Sequence, residues 1–329
     1  MGPWQILGEA LLAPLKRVDL IARYFWKFLI ISAIGYAGFV AAIYLSFSSS
    51  KEMAIHLHAD PIPFDLFLAL LPLGMVLMIV AMLAAIAFVV EGLVKWHRHY
   101  ALGEADGGSK ADRSGRGWRM FGQLIVVGWG FLGILMLLHV LIVLPIYFAI
   151  IGDPILALDP NNAAGEIKHL QSFLDLVGLA VLALATVLFA MIFKRRSVRL
   201  AFVAADARQA VLPQLARFNV ENGSPTCMIA ASLALPIGLI SLLHLGAGHF
   251  FDFHDFQRAL ALQKNIASIK LETVLTYISY VAFLCLLLTF YPMLVFATTV
   301  SLYYREHIRE PLLASLAEDA PVDQAASAP

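Results

Sequence analysis

Six stretches of the chain are apolar at nearly every position, and the polar residues gather in the segments between them. They run Phe28–Phe47, Leu66–Val94, Phe121–Ile151, Phe173–Phe193, Met228–Phe251 and Thr273–Tyr304. A helix of about 20 apolar residues crosses the hydrocarbon core of a bilayer. The pattern therefore predicts an all-α protein, a polytopic transmembrane helical bundle of six membrane-spanning helices arranged as three hairpins. The third and sixth runs exceed the required length, so they must tilt, kink or project. Pro72, Pro145, Pro236 and Pro292 fall within runs, where each removes a backbone donor and favours a kink.

The polar segments orient the helices. With the N-terminus placed inside, eighteen of the 23 Lys and Arg residues fall on the inner side. Only Lys51, Lys168, Arg258, Lys264 and Lys270 fall outside, and none lies within a run. Cytoplasmic loops carry the excess of basic residues, so both termini are expected in the cytoplasm. Residues 1–27 form a separate segment ahead of the bundle at 28–304. There Gln5, Glu9, Lys16, Arg23 and Lys27 fall near one helical face, with Trp4, Leu7, Leu11 and Leu15 towards the other. Such a helix can lie in the membrane interface or simply extend the first span. Its apolar stretch carries Glu9 and precedes the basic residues, unlike a secretory signal. Residues 305–329 form a cytoplasmic tail whose Ala-, Asp- and Pro-rich end after Leu316 is expected to be disordered.

The loops differ by side. Tyr100–Trp118 combines glycines with basic residues and is expected to be mobile. Lys194–Thr226 is long enough for a helix along the membrane, broken near Pro213 and closed by the turn signal Glu221-Asn-Gly-Ser-Pro. The outward helices of the second and third hairpins share Leu137-Leu-His-Val-Leu and Leu242-Leu-His-Leu-Gly, roughly 100 residues apart, as a degenerate repeat would, though apolar sequence produces such matches by chance.

Composition narrows the class. The chain has 329 residues, 60% apolar and 14% charged, where a soluble domain is about 45–50% and about 25%. Its zero net charge predicts no nucleic-acid partner. Two cysteines, Cys227 and Cys285, supply no disulfide framework. Gly103-Glu-Ala-Asp-Gly-Gly-Ser-Lys110 departs from a phosphate loop, because Ser precedes Lys and no strand leads into it. Its basic neighbours are suited to anionic lipid headgroups.

Histidines offer the main candidate chemistry. His139 and His244 occupy comparable depths on two outward-going helices. Facing imidazoles there could hold a haem b iron or, with help, a metal ion. His249, Asp252 and His254, joined by Asp255 and by His56, His58 and Asp60, could assemble a metal site at the outer face, or sense external pH. Against this, a span histidine more commonly donates a hydrogen bond to a neighbouring helix, so no cofactor is expected. The carboxylates near span ends, Glu91, Asp65 and Asp175, can snorkel or cap a helix, and none lies at mid-membrane.

Ala33, Ala37 and Ala41 on the first span, and Gly122, Gly128, Gly130 and Gly133 on the third, permit close helix approach. The leading expectation is a non-enzymatic scaffold or subunit of a larger membrane assembly, such as a secretion, conjugation or envelope-transport machine. Its partners would be the bilayer, anionic headgroups and other membrane subunits, in a bacterial inner membrane. A transporter or channel for a small or lipidic solute is the second expectation, and a membrane haem or metal protein the third.

Overall fold

The computed structural model describes residues 1–49, 64–103, 113–146, 163–205, 223–247 and 271–311. Seven helices account for these residues, with no strand among them. They are α1 (Pro3–Lys16), α2 (Val18–Ser49), α3 (Phe64–Leu102), α4 (Arg113–Leu138), α5 (Ala163–Ala205), α6 (Gly223–Ala247) and α7 (Leu271–Tyr304). Five contain segments long and apolar enough to cross a membrane: Ile79–Leu102, Gly117–Ile146, Leu176–Ala205, Pro225–Leu243 and Ala282–Arg309. The chain is thus a multi-pass helical membrane protein. The first apolar run falls in α2, whose side chains are described only in part.

Several helices outrun the apolar stretches that announced them. Lys194–Ala205 was expected to begin a separate helix along the membrane, but it continues α5 without a break. Ser197, Val198, Leu200, Ala201, Phe202, Ala204 and Ala205 are buried there, so the helix enters the core despite its basic residues. Likewise Tyr100–Leu102 extends α3, and Gly223-Ser-Pro opens α6 in place of a turn. Pro225 fits the first helical turn, where its missing N–H has no helical acceptor to satisfy. Gly103 ends α3 at φ +71°, its N–H bonded to the His99 carbonyl at 3.0 Å. That left-handed position suits glycine and closes the helix with a backbone cap.

The prolines act locally. α6 and α7 continue through Pro236 and Pro292. Two five-residue π turns follow one rule: His139–Val143 precedes Pro145, and Arg305–Arg309 precedes Pro311. A proline cannot donate to the carbonyl four residues back and crowds it. Widening the turn, with Leu144 N–H reaching His139 O and Glu310 N–H reaching Arg305 O, relieves that crowding.

The chain forms two compact units. The first comprises residues 1–16, 94–238 and 292–329. In it α5 packs on α4, where Leu138, Val181 and Ala185 are buried with Phe131, Ile134 and Leu135 packed around them. Phe131 meets Phe189 edge-on at 5.5 Å. Gly130 lets the Phe193 ring approach so closely that a Cβ there would stand 2.3 Å from its Cζ. Lipid tails are as apolar as these side chains, so such close packing and polar contacts, and not exclusion from water, hold the helices together.

The second unit comprises residues 17–93 and 239–291. Phe25 is fully buried and meets Phe290 edge-on at 5.0 Å, while Phe28 stacks on Phe290 at 5.6 Å. Tyr36 and Ser279 share a side-chain hydrogen bond. Gly92 lies under Phe25, where a Cβ would stand 2.4 Å from Cδ1. Gly92→Ala therefore displaces an enclosed ring, and the expected cost is about 1–3 kcal/mol, typical of overpacking. Thermal unfolding in detergent checks this, with Gly35→Ala, which meets nothing within 4 Å, expected to match the wild type.

Candidate functional site

The densest set of buried polar side chains lies in the first unit, at the basic ends of α3, α5 and α7. Consecutive residues on a helix point about 100° apart. From one turn of α3, Trp96 and His97 thus reach α7 and Arg98 reaches α5. The Trp96 indole N–H donates to Thr298 Oγ1 at 2.8 Å, and Thr298 in turn donates to the Leu294 carbonyl at 2.8 Å. His97 Nδ1 and Ser301 Oγ are 2.6 Å apart. Arg98 Nη1 donates to the carbonyls of Ala204 and Ala205, at 3.4 and 3.1 Å.

All these side chains are buried: Trp96, Thr298 and Ser301 are at 0% exposure, His97 at 1% and Arg98 at 5%. Burying a cation is costly unless donors and charge are matched. Two carbonyl dipoles of α5, at Ala204 and Ala205, offset part of that cost for Arg98. Thr299 bonds the Val295 carbonyl at 2.9 Å, completing the polar run Thr298-Thr299-Val-Ser301 along α7. The Ser197 hydroxyl is buried with no hydrogen-bond partner among the described residues.

A charged cluster adjoins this layer in the same unit. Glu306 accepts from the Met1 amino group at 2.9 Å and from Arg305 Nη2 at 2.9 Å. Arg305 Nη1 also donates to the Tyr100 carbonyl at 3.5 Å. A shallow dent with no room for a water molecule lies nearby, lined by Val198, Pro225, Met228, Ile229, Val300 and Tyr303 among others. Trp96, His97 and Arg98 are each hydrogen-bonded to another helix, so the layer's chemistry is that of a lock between helices.

The residues singled out from the sequence lie elsewhere. His139 opens the π turn after α4, exposed, with Nδ1 3.1 Å from the Leu135 carbonyl of its own helix. The contact stays within its own helix and does not reach a neighbouring one, as a span histidine was expected to do. His244 lies on α6 in the other unit, and its side chain is outside the described set. His249, Asp252 and His254 lie outside the described residues, as do Asp255, His56, His58 and Asp60. Among the described residues no three His, Cys, Asp or Glu side chains stand close enough to hold a metal. Glu91, expected to snorkel or cap, instead pairs with Lys27 at 3.2 Å within the second unit. The Lys27 ammonium also stands 5.5 Å from the centre of the Phe88 ring.

Trp96, His97 and Arg98 were missed because they follow the end of an apolar run and read as the solvated cytoplasmic end of a helix. The readable signal was the triplet Thr298, Thr299 and Ser301 inside an otherwise apolar span. Hydroxyls there imply polar partners from another helix. Comparison with protein-family models, curated proteins and solved structures finds no match to this chain.

Proposed function

We propose that the chain is a non-catalytic scaffold or subunit of a larger membrane assembly, of the secretion, conjugation or envelope-transport kind. On this reading it crosses a bacterial inner membrane six times, with both termini cytoplasmic. The basic ends of α3, α5 and α7 support that orientation, following the positive-inside rule. The Lys27–Glu91 pair supports the first hairpin, because it joins the start of one span to the end of the next.

The observation that carries the proposal is the bare face of α4. Its span is the least covered of the five, with 11% buried against 28–47% in the others. Trp129 lies on the open face, 71% exposed, and its indole N–H has no partner among the described residues. It sits ten residues beyond Arg119, about 15 Å along the helix at 1.5 Å per residue. Tryptophan favours the two interfaces, where its N–H finds water or headgroups, over that depth. Gly122 and Gly133 share this face, and a Cβ at either would meet nothing within 4 Å. A large ring beside two gaps, with an unanswered donor, suits a transmembrane helix of another subunit.

The test is native mass spectrometry of tagged protein extracted from its source membrane in mild detergent, with an absorption spectrum taken first. Wild type is expected to carry a stoichiometric membrane partner. Gly133→Leu, which fills a gap, is expected to reduce recovery of that partner by about tenfold, the effect of about 1.4 kcal/mol. A partner-free wild type would instead favour a transporter, and a Soret band would favour the haem reading.

A further inference from the structure

We infer that α1 is an interfacial helix, seated between the protein and the bilayer, with Trp4 and Leu15 inserted at the boundary between headgroups and acyl chains. This rests on the membrane-spanning reading and on four observations from the first unit.

The first is that α1 has three sectors where an ordinary amphipathic helix has two. Ile6, Leu7, Ala10, Ala13 and Pro14 are buried and make one arc. Gln5, Glu9 and Lys16 are exposed and make another. Between them, at about 100° per residue, falls a third arc that is apolar and yet uncovered. It contains Trp4 at 75% exposure, Leu15 at 64% and Leu12 at 45%, with open space over Gly8. The sequence alone grouped Leu7 with Trp4 and Leu15, but Leu7 is buried at 3% and belongs to the protein side.

The second is the order of the sectors. Around the axis they run protein, apolar, polar and back to protein. A helix lying on a bilayer beside a membrane-embedded wall needs that order, with the wall on one flank, lipid below and water above. The third is depth. Ile6 packs on Met228, in the first turn of the apolar segment Pro225–Leu243, and on Leu302, two turns before the end of Ala282–Arg309. Leu302 stands three residues before Arg305, so α1 docks where apolar span gives way to basic residues. The fourth is the flanking chemistry. Trp4 is a ring suited to the headgroup level, and Lys16 and Arg17 follow the apolar arc as anionic-lipid contacts do.

The experiment uses the full chain with Cys227 and Cys285 replaced by serine, in phosphatidylcholine–phosphatidylglycerol vesicles. Single nitroxide labels are placed at positions 4, 15, 9, 10 and 191. Accessibility to oxygen, which partitions into lipid, is compared with accessibility to a water-soluble nickel chelate. Positions 4 and 15 are expected to show an oxygen-to-nickel ratio about three or more times that of position 9. Position 10 is expected to be shielded from both. Met191, 59% exposed on the α5 span, reports the spanning reading separately and should favour oxygen.

If positions 4 and 15 resemble position 9 while 191 favours oxygen, α1 faces water and this inference falls alone. Shielding of 4 and 15 from both reagents would likewise overturn it, showing a protein on that face. Nickel access at 191 would overturn the spanning reading itself. Because labels at α1 could disturb docking, unlabelled Trp4→Phe is compared with wild type for quenching by brominated lipid. The Trp4 contribution is expected to be quenched; an unquenched contribution overturns the inference.

Discussion

Arg98→Met is expected to cost about 2–4 kcal/mol, because it leaves two buried carbonyls at the end of α5 without their donor. Ala204 and Ala205 are themselves buried, at 0% and 4% exposure, so water is poorly placed to replace the guanidinium. Methionine keeps much of the side chain's apolar length, which isolates loss of the charged hydrogen bonds from loss of packing. Arg98→Lys should fall between wild type and Met. It keeps a cation beside the two carbonyls but loses the rigid planar geometry that aims Nη1 at both of them. Thermal unfolding in detergent orders the three proteins. An unchanged midpoint for Arg98→Met would mean that the α5 terminus finds another donor.

The Trp96–Thr298 bond gives the second large effect, and its two single variants should not be equal. Thr298→Val leaves the indole N–H buried without its acceptor, at about 1–3 kcal/mol. Trp96→Phe leaves the Thr298 hydroxyl still bonded to the Leu294 carbonyl, so no donor is stranded there. Its cost is then one of packing, around a ring that also lies 5.2 Å from that of Tyr100. Combining the substitutions removes donor and acceptor together. The double variant is therefore expected to be less destabilised than the sum of the singles, by about 1 kcal/mol or more. Strict additivity would show that the bond does not lock α3 to α7.

The bulk of the helical architecture was readable in the apolar runs. Thr273–Tyr304 nearly coincides with α7, and Leu66–Val94 lies wholly within α3. Runs reveal the part of a helix that must meet lipid, and they stop at the first charges. They are silent on Lys194–Ala205 and Trp96–Leu102, where the backbone continues as helix because its next partner is protein. The same limit hid the candidate site. His97 and Arg98 in sequence read as the basic end of a span, and only packing against Ser301 and α5 turns them into buried groups. His139 drew attention by its place in an apolar run, yet its ring answers a carbonyl four residues earlier.

The helix α1 divides along the same line. Its amphipathic period was legible, but period alone yields two faces, whereas burial by Met228 and Leu302 cut the apolar face in two. The sequence by itself determined that this protein is helical and inhabits a membrane, because bilayer thickness and the cost of stranding charge in it act on each segment alone. It also determined where the helices can bend, through proline. Tertiary structure decided which polar groups are buried and what they hold, that Glu91 pairs with Lys27, and which face of α4 stays bare. Those outcomes depend on pairs of residues far apart in the chain, and no local pattern encodes the distance between them.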